Sequence, residues 1–353
     1  MNLLLLLTVF LISCCAHQVM APPPKGPPPT PTLPLQVSTS EGIVAGFKSN
    51  GARLFLGIPY AAPPVGSLRW SDPIPPTDRG KTIYDASYSG KQISCYSTLV
   101  EKSAFSGQPL PQSEDCLYLN IFSPVAPSKS LPSGYPVLIW IHGGGFQFGS
   151  GYQYDGTTYA KSGVVFVAIN YRLNVFGFLY TSQLEGNYGL KDQIQAMKWV
   201  QQNIASFGGD PARVTIAGES SGAVSVSSHL INPLTQGLFQ RAILDSNIIG
   251  QDPLEFQSTA TALSFSTTLG SIIGCTDANT LTACLRTVPG QQLLQVVLAG
   301  IPFPGPYAFW AALRATATGS PTYGTSFMPI DPLTALSGNG YLGNSAVSFV
   351  SPA

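Results

Sequence analysis

The chain has 353 residues, 44% of them apolar, so it can bury a large core as one α/β domain or two smaller ones. Lys and Arg together number 17, Asp and Glu also number 17, and no block of like charges stands out. Composition therefore gives no support for binding nucleic acid or an anionic membrane surface, and the apolar content argues against extended disorder.

Residues 1–21 have the features of a secretory signal peptide. Residues 3–12 form an almost unbroken apolar run, shorter than the roughly 20 residues that a transmembrane helix needs. Cleavage is expected after Ala16 or Ala21. A lipoprotein-type signal that would tether Cys14 to lipid is the alternative, but the segment lacks the basic residues of such signals. We therefore predict a secreted protein without stable membrane insertion.

A proline-rich linker is predicted over residues 22–35. Each Pro fixes its own φ and restricts the preceding residue, so this segment is expected to form an extended polyproline II arm outside the core. Residues 36–353 are predicted to form the folded domain.

Strand and helix patterns alternate within the domain. Continuous apolar runs at 137–141 and 164–169 are typical of strands buried on both faces, and residues 213–217 and 242–244 also predict strands. Residues 190–204 carry apolar side chains at helical spacing. This order predicts an α/β fold with a mostly parallel central sheet and helices on both faces.

A G-x-S-x-G pattern, GESSG, occupies residues 218–222 directly after the predicted strand 213–217. Such a nucleophile elbow needs a tight strand-to-helix turn that exposes the Ser220 hydroxyl, and the flanking glycines remove Cβ clashes. Residues 223–230 can form the helix that follows, and its N-terminus favours a developing negative charge. Ser220 is therefore the candidate nucleophile.

A second motif, HGGGF at 142–146, follows the predicted strand 137–141. Consecutive glycines can turn their backbone N–H groups inward, which acyl transfer requires for binding a tetrahedral oxyanion. A plain turn at a strand end is the alternative. The presence of both motifs favours a hydrolase.

These motifs resemble those of the type-B carboxylesterase family, which includes cholinesterases and fungal lipases. The resemblance covers residues from about 36 to about 290. Other matching stretches are FLGIPYA at 55–61, PP at 63–64, LRW at 68–70, SEDCLYLN at 113–120, NYR at 170–172, GLKDQ at 189–193, FGGDP at 207–211 and LFQRAI at 238–243.

The family resemblance implies an α/β-hydrolase fold and hydrolysis of carboxylic esters through an acyl-enzyme on Ser220. It implies that the backbone N–H groups of Gly144, Gly145 and Ser221 form the oxyanion hole. It implies no metal or organic cofactor, and the expected partner is a small-molecule ester or lipid substrate.

Four cysteines would remain after removal of the signal peptide, and they allow three pairings. Pairing neighbours in the sequence, Cys95 with Cys116 and Cys275 with Cys284, would close two short loops, and the family resemblance supports the same pairs. No Cys-x-x-Cys spacing or His/Cys cluster suggests zinc.

The same resemblance implies two structural ion pairs, Arg69 with Glu114 and Arg172 with Asp210.

The sequence contains no clear candidate for the catalytic base that would activate Ser220. His17 lies in the predicted signal peptide, His229 is expected to lie out of reach on the helix after Ser220, and His142 is not the base in the family. The family carries its catalytic acid and histidine further downstream.

The end of the sequence bears on the same question. Residues 322–343 resemble the approach to the strand that precedes the catalytic acid in the family, and the sequence ends at Ala353. We therefore expect an incomplete hydrolase domain that lacks its C-terminal strands, from an incomplete gene product or gene model. The alternatives are a catalytically inactive product and a cholinesterase-like, non-catalytic binding or adhesion module.

The loop between Cys95 and Cys116 would cover the active-site gorge. It contains Tyr96 and Phe105 but no Trp, the aromatic side chain that binds quaternary ammonium groups best, so choline esters are not the expected substrates. Its modest, polar character favours an esterase over a long-lid lipase. No Asn-x-Ser/Thr site occurs, so N-glycosylation is not expected.

Overall fold

The computed structural model describes residues 35–87, 90–126, 130–246, 259–299 and 348–350. All of them belong to one compact unit, Thr32–Ala353. The predicted signal peptide and residues 22–34 of the predicted linker lie outside the described residues. Leu35, which we predicted to end the linker, already belongs to the first strand.

The described residues contain strands β1 (Leu35–Thr39), β2 (Gly42–Ser49), β3 (Ala52–Pro59), β4 (Tyr84–Asp85), β5 (Ser94–Cys95), β6 (Gln112–Ser113), β7 (Tyr118–Pro124), β8 (Tyr135–Ile141), β9 (Val165–Ile169), β10 (Gly209–Glu219), β11 (Arg241–Asp245) and β12 (Ser348–Val350). The helices are α1 (Thr157–Lys161), α2 (Asn174–Phe178), α3 (Tyr188–Asn203), α4 (Ser221–Ile231), α5 (Thr259–Ile273), α6 (Leu281–Thr287) and α7 (Gly290–Leu298).

The large sheet has the strand order β1-β2-β3-β7-β9-β8-β10-β11-β12, and β4 pairs with β2. From β9 to β12 every neighbouring pair is parallel, as predicted for the strands that carry the motifs. From β1 to β9 the pairs are antiparallel, which the apolar runs did not indicate. The α/β-hydrolase fold class is confirmed, with a mixed central sheet.

Helices cover both faces of the sheet, because its buried strands send alternate side chains into two clusters. Val167 of β9 shares one cluster with Trp199 of α3 and Val226 of α4. Its neighbour Phe166 shares another cluster with Ala160 of α1. The central strands are thus shielded from water on both sides, as a parallel sheet requires.

Both predicted disulfides are present. Cys95 and Cys116 have Cα atoms 4.9 Å apart, and those of Cys275 and Cys284 are 5.7 Å apart. The first closes the predicted gorge loop. The second joins the middle of α6 to the segment that follows α5.

The predicted ion pair between Arg69 and Glu114 is confirmed. The guanidinium binds both carboxylate oxygens, at 2.6 and 2.5 Å. Its remaining nitrogen donates to the carbonyl oxygens of Leu285 and Val288, at 3.2 and 2.6 Å. Arg69 therefore ties the disulfide loop to the end of α6.

The predicted pair between Arg172 and Asp210 is wrong. Arg172 follows the carboxyl end of β9, whereas Asp210 lies at the amino end of β10. Because β9 and β10 run in the same direction, the two residues lie at opposite ends of the strands. Arg172 instead binds both carboxylate oxygens of Asp192 in α3, at 2.8 and 2.7 Å. Asp210 pairs with Arg213 at 2.8 Å.

Among the described residues, no helix combines the length and apolar character needed to cross a membrane.

Candidate active site

The two motifs meet where two adjacent parallel strands end, at their carboxyl ends. The register pairs Gly218 of β10 with Ile141 of β8, so the segments that follow these residues leave the sheet side by side. From β8 the chain runs through α1 to β9 on one side, and from β10 it runs through α4 to β11 on the other. Such a switch point opens a crevice where ligands bind in α/β sheets.

Ser220 occupies the turn between β10 and α4. Its backbone has φ 54° and ψ −121°, a conformation that L-residues rarely adopt and that the surrounding structure must enforce. The Ser220 N–H donates to the carbonyl oxygen of Asp245, and its own carbonyl oxygen accepts from the N–H of Val224, both at 3.0 Å. The strained turn predicted for a nucleophile elbow is therefore present.

Close backbone contacts explain the two glycines of the elbow. A Cβ on Gly222 would lie 2.1 Å from the carbonyl oxygen of Ile141, and one on Gly218 would lie 2.4 Å from the carbonyl carbon of Gly222. No larger residue fits there without moving backbone atoms. The two glycines thus let α4 begin directly against the end of β8.

The glycine loop lies against Ser220. A Cβ on Gly143 would be 3.2 Å from the Cβ of Ser220, so the loop and the serine side chain are neighbours. Gly144 and Gly145 have φ of +103° and +60°. Among the described residues, no oxygen accepts a hydrogen bond from the N–H of Gly144, Gly145 or Ser221. These three donors are thus available at one site.

Ser221 and Tyr171 connect the elbow to the loop. The Ser221 hydroxyl accepts a hydrogen bond from the N–H of Phe146 at 3.3 Å. The Tyr171 hydroxyl donates to the carbonyl oxygen of His142 at 2.7 Å and interacts with the hydroxyl of Ser221. The NYR match contained Tyr171, but nothing in the sequence indicated that it contacts the glycine loop.

Two carboxyl groups border the elbow. Glu219 and Asp245 are register partners on β10 and β11. A Cβ on Gly143 would lie 2.5 Å from one carboxylate oxygen of Glu219, so this group touches the glycine loop. Partial burial and then the charge of Asp245 raise the pKa of Glu219 above its ordinary value.

Neither histidine that the structure describes forms a hydrogen bond with Ser220. His142 is fully buried, its Nδ1 lies 2.9 Å from the carbonyl oxygen of Gly143, and burial lowers its pKa to about 4. His229 lies on α4 as predicted, with its Nε2 2.7 Å from the side-chain oxygen of Gln193, and burial lowers its pKa to about 3. Both imidazoles are therefore neutral near pH 7 and bind other residues.

No group of three or more His, Cys, Asp or Glu residues within the described part of the chain could hold a metal ion. At the switch point, a half-buried serine on a strained turn lies next to amide donors that have no acceptor among the described residues. This arrangement is typical of serine hydrolases.

A mixed sheet with a serine elbow at its switch point defines the α/β-hydrolase class. Within that class the chain belongs to the Carboxylesterase family, whose profile matches residues 34–348.

Curated relatives include the para-nitrobenzyl esterase of Bacillus subtilis (strain 168), 42% identical over 73% of this chain and 52% of the relative. The cocaine esterase of Oryctolagus cuniculus is 40% identical over 72% of this chain and 48% of its own length. Venom carboxylesterase-6 of Apis mellifera is 37% identical over 89% of this chain and 53% of its own length. The chain thus spans about half the length of the curated relatives it matches.

Solved structures with this fold include a PNB esterase, with a TM-score of 0.72 and 32% identity over 90% of this chain and 62% of that one. A thermophilic PNB esterase gives a TM-score of 0.73, with the same identity and coverage.

Proposed function

We propose that this protein hydrolyses small carboxylic esters through an acyl-enzyme on Ser220. The Ser220 oxygen adds to the ester carbonyl carbon, and the N–H groups of Gly144, Gly145 and Ser221 stabilise the resulting oxyanion. Collapse of this intermediate breaks the bond to the alkoxy oxygen, which leaves as the alcohol with the proton lost by Ser220. Water then cleaves the acyl-enzyme and releases the carboxylic acid.

One observation carries the proposal: the Ser220 side chain lies against a loop whose amide donors have no acceptor among the described residues. Preorganised donors of this kind typically contribute about 10²–10³ each to kcat in acyl transfer. Family membership supports the same reaction, because the relatives named above are esterases.

The gorge loop argues against esters of quaternary ammonium alcohols as substrates. Tyr96 packs on Phe176 with ring centroids 5.0 Å apart, and Phe105 stacks on Phe122 at 5.8 Å. The two aromatic rings of the loop that we considered as cation binders are thus in contact with core residues, so the loop supplies little aromatic surface for a quaternary ammonium group.

Active-site labelling combined with turnover tests the proposal. A fluorophosphonate probe should label the tryptic peptide that contains Ser220, and p-nitrophenyl acetate hydrolysis should exceed that of the Ser220→Ala variant. Ser67→Ala, which removes an exposed hydroxyl elsewhere, should match the parent in both measurements. Equal turnover by parent and Ser220→Ala, without labelling of Ser220, would contradict the proposal.

A second candidate is a binding module that does not turn over esters. The observation in its favour is that neither described histidine forms a hydrogen bond with Ser220, so the described residues show no imidazole base in place. In this case an ester should bind the parent and Ser220→Ala equally well, measured by ligand-observed NMR, while the parent releases no product.

We also propose secretion after removal of a signal peptide within residues 1–21. Two disulfides support an oxidising compartment, since such bonds are rare in the cytosol. N-terminal sequencing of protein from the medium tests this: the mature N-terminus should follow Ala16 or Ala21, and retention inside the cell would count against it.

A further inference from the structure

We propose that an open pocket at the carboxyl end of β3 binds small aromatic carboxylates, independently of Ser220. The pocket has a volume of about 380 Å³, within the range of small-molecule sites. Its apolar lining comes from Pro59, Ala61, Pro63 and Pro76, and tyrosines and charged side chains complete it.

This pocket and Ser220 lie at the same end of the sheet strands but at different positions across the sheet. β3 and β9 both run antiparallel to β7, so the carboxyl ends of β3 and β10 point the same way. Four inter-strand steps separate them in the strand order, which corresponds to roughly 19 Å. A ligand at β3 would therefore leave the Ser220 site open.

One pair of charges in the pocket is already neutralised. The Lys91 ammonium lies 2.5 Å from the Asp115 carboxylate and 2.6 Å from the Tyr118 hydroxyl oxygen. The Tyr118 hydroxyl in turn donates to the other oxygen of Asp115 at 2.6 Å. Because these three groups bind one another, we do not expect Lys91 or Asp115 to be the main ligand-binding charge.

Arg79 supplies the remaining positive charge. No carboxylate of the described residues lies within ion-pair distance of its guanidinium, whose hydrogen bond to the Thr39 hydroxyl is long at 3.3 Å. The guanidinium carbon lies 5.2 Å from the ring centroid of Tyr84. The hydroxyl of Tyr84 donates to the carbonyl oxygen of Gly57 at 2.6 Å, which holds this ring in place.

Asp85 is the other acidic residue at the rim. Its side chain is exposed, and its carboxylate accepts a hydrogen bond from the N–H of Ser87 at 3.0 Å. Water screens an exposed carboxylate, so we expect it to oppose an anion at Arg79 only weakly.

The ligand class follows from these groups. A carboxylate suits the planar fork of a guanidinium, which can bind it through two parallel hydrogen bonds. A flat ring suits the proline and tyrosine surfaces, and aromatic groups gain most from such burial. A neutral aromatic alcohol of the same size would keep the apolar contacts and lose the ion pair.

Titration of 2-naphthoate into the full-length Ser220→Ala variant, followed by its fluorescence, tests the site. The Ser220→Ala background removes acylation, so the result does not depend on the proposed esterase activity. We expect saturable binding, weakened about tenfold or more by adding Arg79→Gln. Lys48→Gln makes the same charge change at an exposed position outside the pocket and should change binding less than about twofold.

Two further arms keep the test decisive. 2-Naphthylmethanol should bind at least about tenfold more weakly than 2-naphthoate. Thr77→Trp, at the exposed rim, should block the pocket without disturbing the core and weaken both compounds. Absence of 2-naphthoate binding at millimolar concentration, or equal effects of Arg79→Gln and Lys48→Gln with folded variants by circular dichroism, would overturn the proposal.

Discussion

The hydroxyl of Tyr171 donates a hydrogen bond to the carbonyl oxygen of His142 at 2.7 Å, and the two rings stack with centroids 4.4 Å apart. Both residues are buried, Tyr171 after β9 and His142 after β8. The pair therefore joins two neighbouring strand ends at the start of the glycine loop. Because the His142 carbonyl belongs to the peptide that leads into Gly143, this contact fixes where the loop begins.

Replacing Tyr171 by Phe keeps the stacked ring and removes the hydrogen bond. We expect kcat for p-nitrophenyl acetate to fall about tenfold with little change in KM, because amide donors in the loop shift relative to the oxyanion. Stability to urea should fall by about 1–2 kcal/mol, the cost of an unpaired buried carbonyl. Tyr159→Phe, at a side chain 45% exposed, should change neither quantity. Unchanged kcat in Tyr171→Phe would remove Tyr171 from the positioning role.

Gly222→Ala tests the contact between α4 and the end of β8. The new Cβ would lie 2.1 Å from the Ile141 carbonyl oxygen, and backbone must move to relieve it. We expect a loss of about 1–3 kcal/mol in urea unfolding together with near-complete loss of Ser220 labelling. Gly237→Ala is the control, since that position has φ +79° but open space around it, and strain alone should cost about 1 kcal/mol without affecting labelling. Normal labelling of Gly222→Ala would contradict the close contact.

The elements predicted correctly are those whose signals are local. The apolar runs before HGGGF and GESSG correspond to β8 and β10, and the turn at Ser220 follows from glycines that touch backbone atoms. These strands and this turn are determined by residues that are adjacent in the sequence, so a short motif is enough to predict them.

Relationships between distant elements were predicted less well. Predicting the ion partner of Arg172 requires knowing at which end of the strands each charged residue lies. That position depends on strand order and direction. The antiparallel pairs from β1 to β9 and the pairing of β12 with β11 depend on the same information. The role of Tyr171 likewise appears only when β9 lies next to β8.

Asp192→Asn should be the most destabilising conservative change in the core. Arg172 and Asp192 side chains are 3% and 0% exposed, so the variant leaves a buried guanidinium without its counter-charge. We expect a loss of about 3–5 kcal/mol in urea unfolding. Asp210→Asn is the matched control, because its partner Arg213 is 34% exposed and water can replace the lost charge, for a cost nearer 1 kcal/mol. Similar losses of unfolding free energy in the two variants would show that water reaches the Arg172 guanidinium.

The two buried histidines should make the protein less stable as pH falls. Burial holds the pKa of His142 near 4 and that of His229 near 3, whereas an unfolded imidazole has a pKa of 6.5. Between pH 6.5 and 4 the unfolded chain thus binds protons that the native protein does not, and each histidine costs about 1.4 kcal/mol of stability per pH unit.

His229→Gln tests this directly, because Gln can still bind Gln193 but does not titrate. The variant should lose about 2 kcal/mol less than the parent when urea unfolding is compared at pH 7.5 and pH 5. Its absolute stability at pH 7.5 can be lower, since the new side chain packs differently, but that offset cancels in the comparison between the two pH values. If both proteins lose the same amount, His229 is protonated in the native state at pH 5, and the imidazole cannot be held neutral by burial on α4.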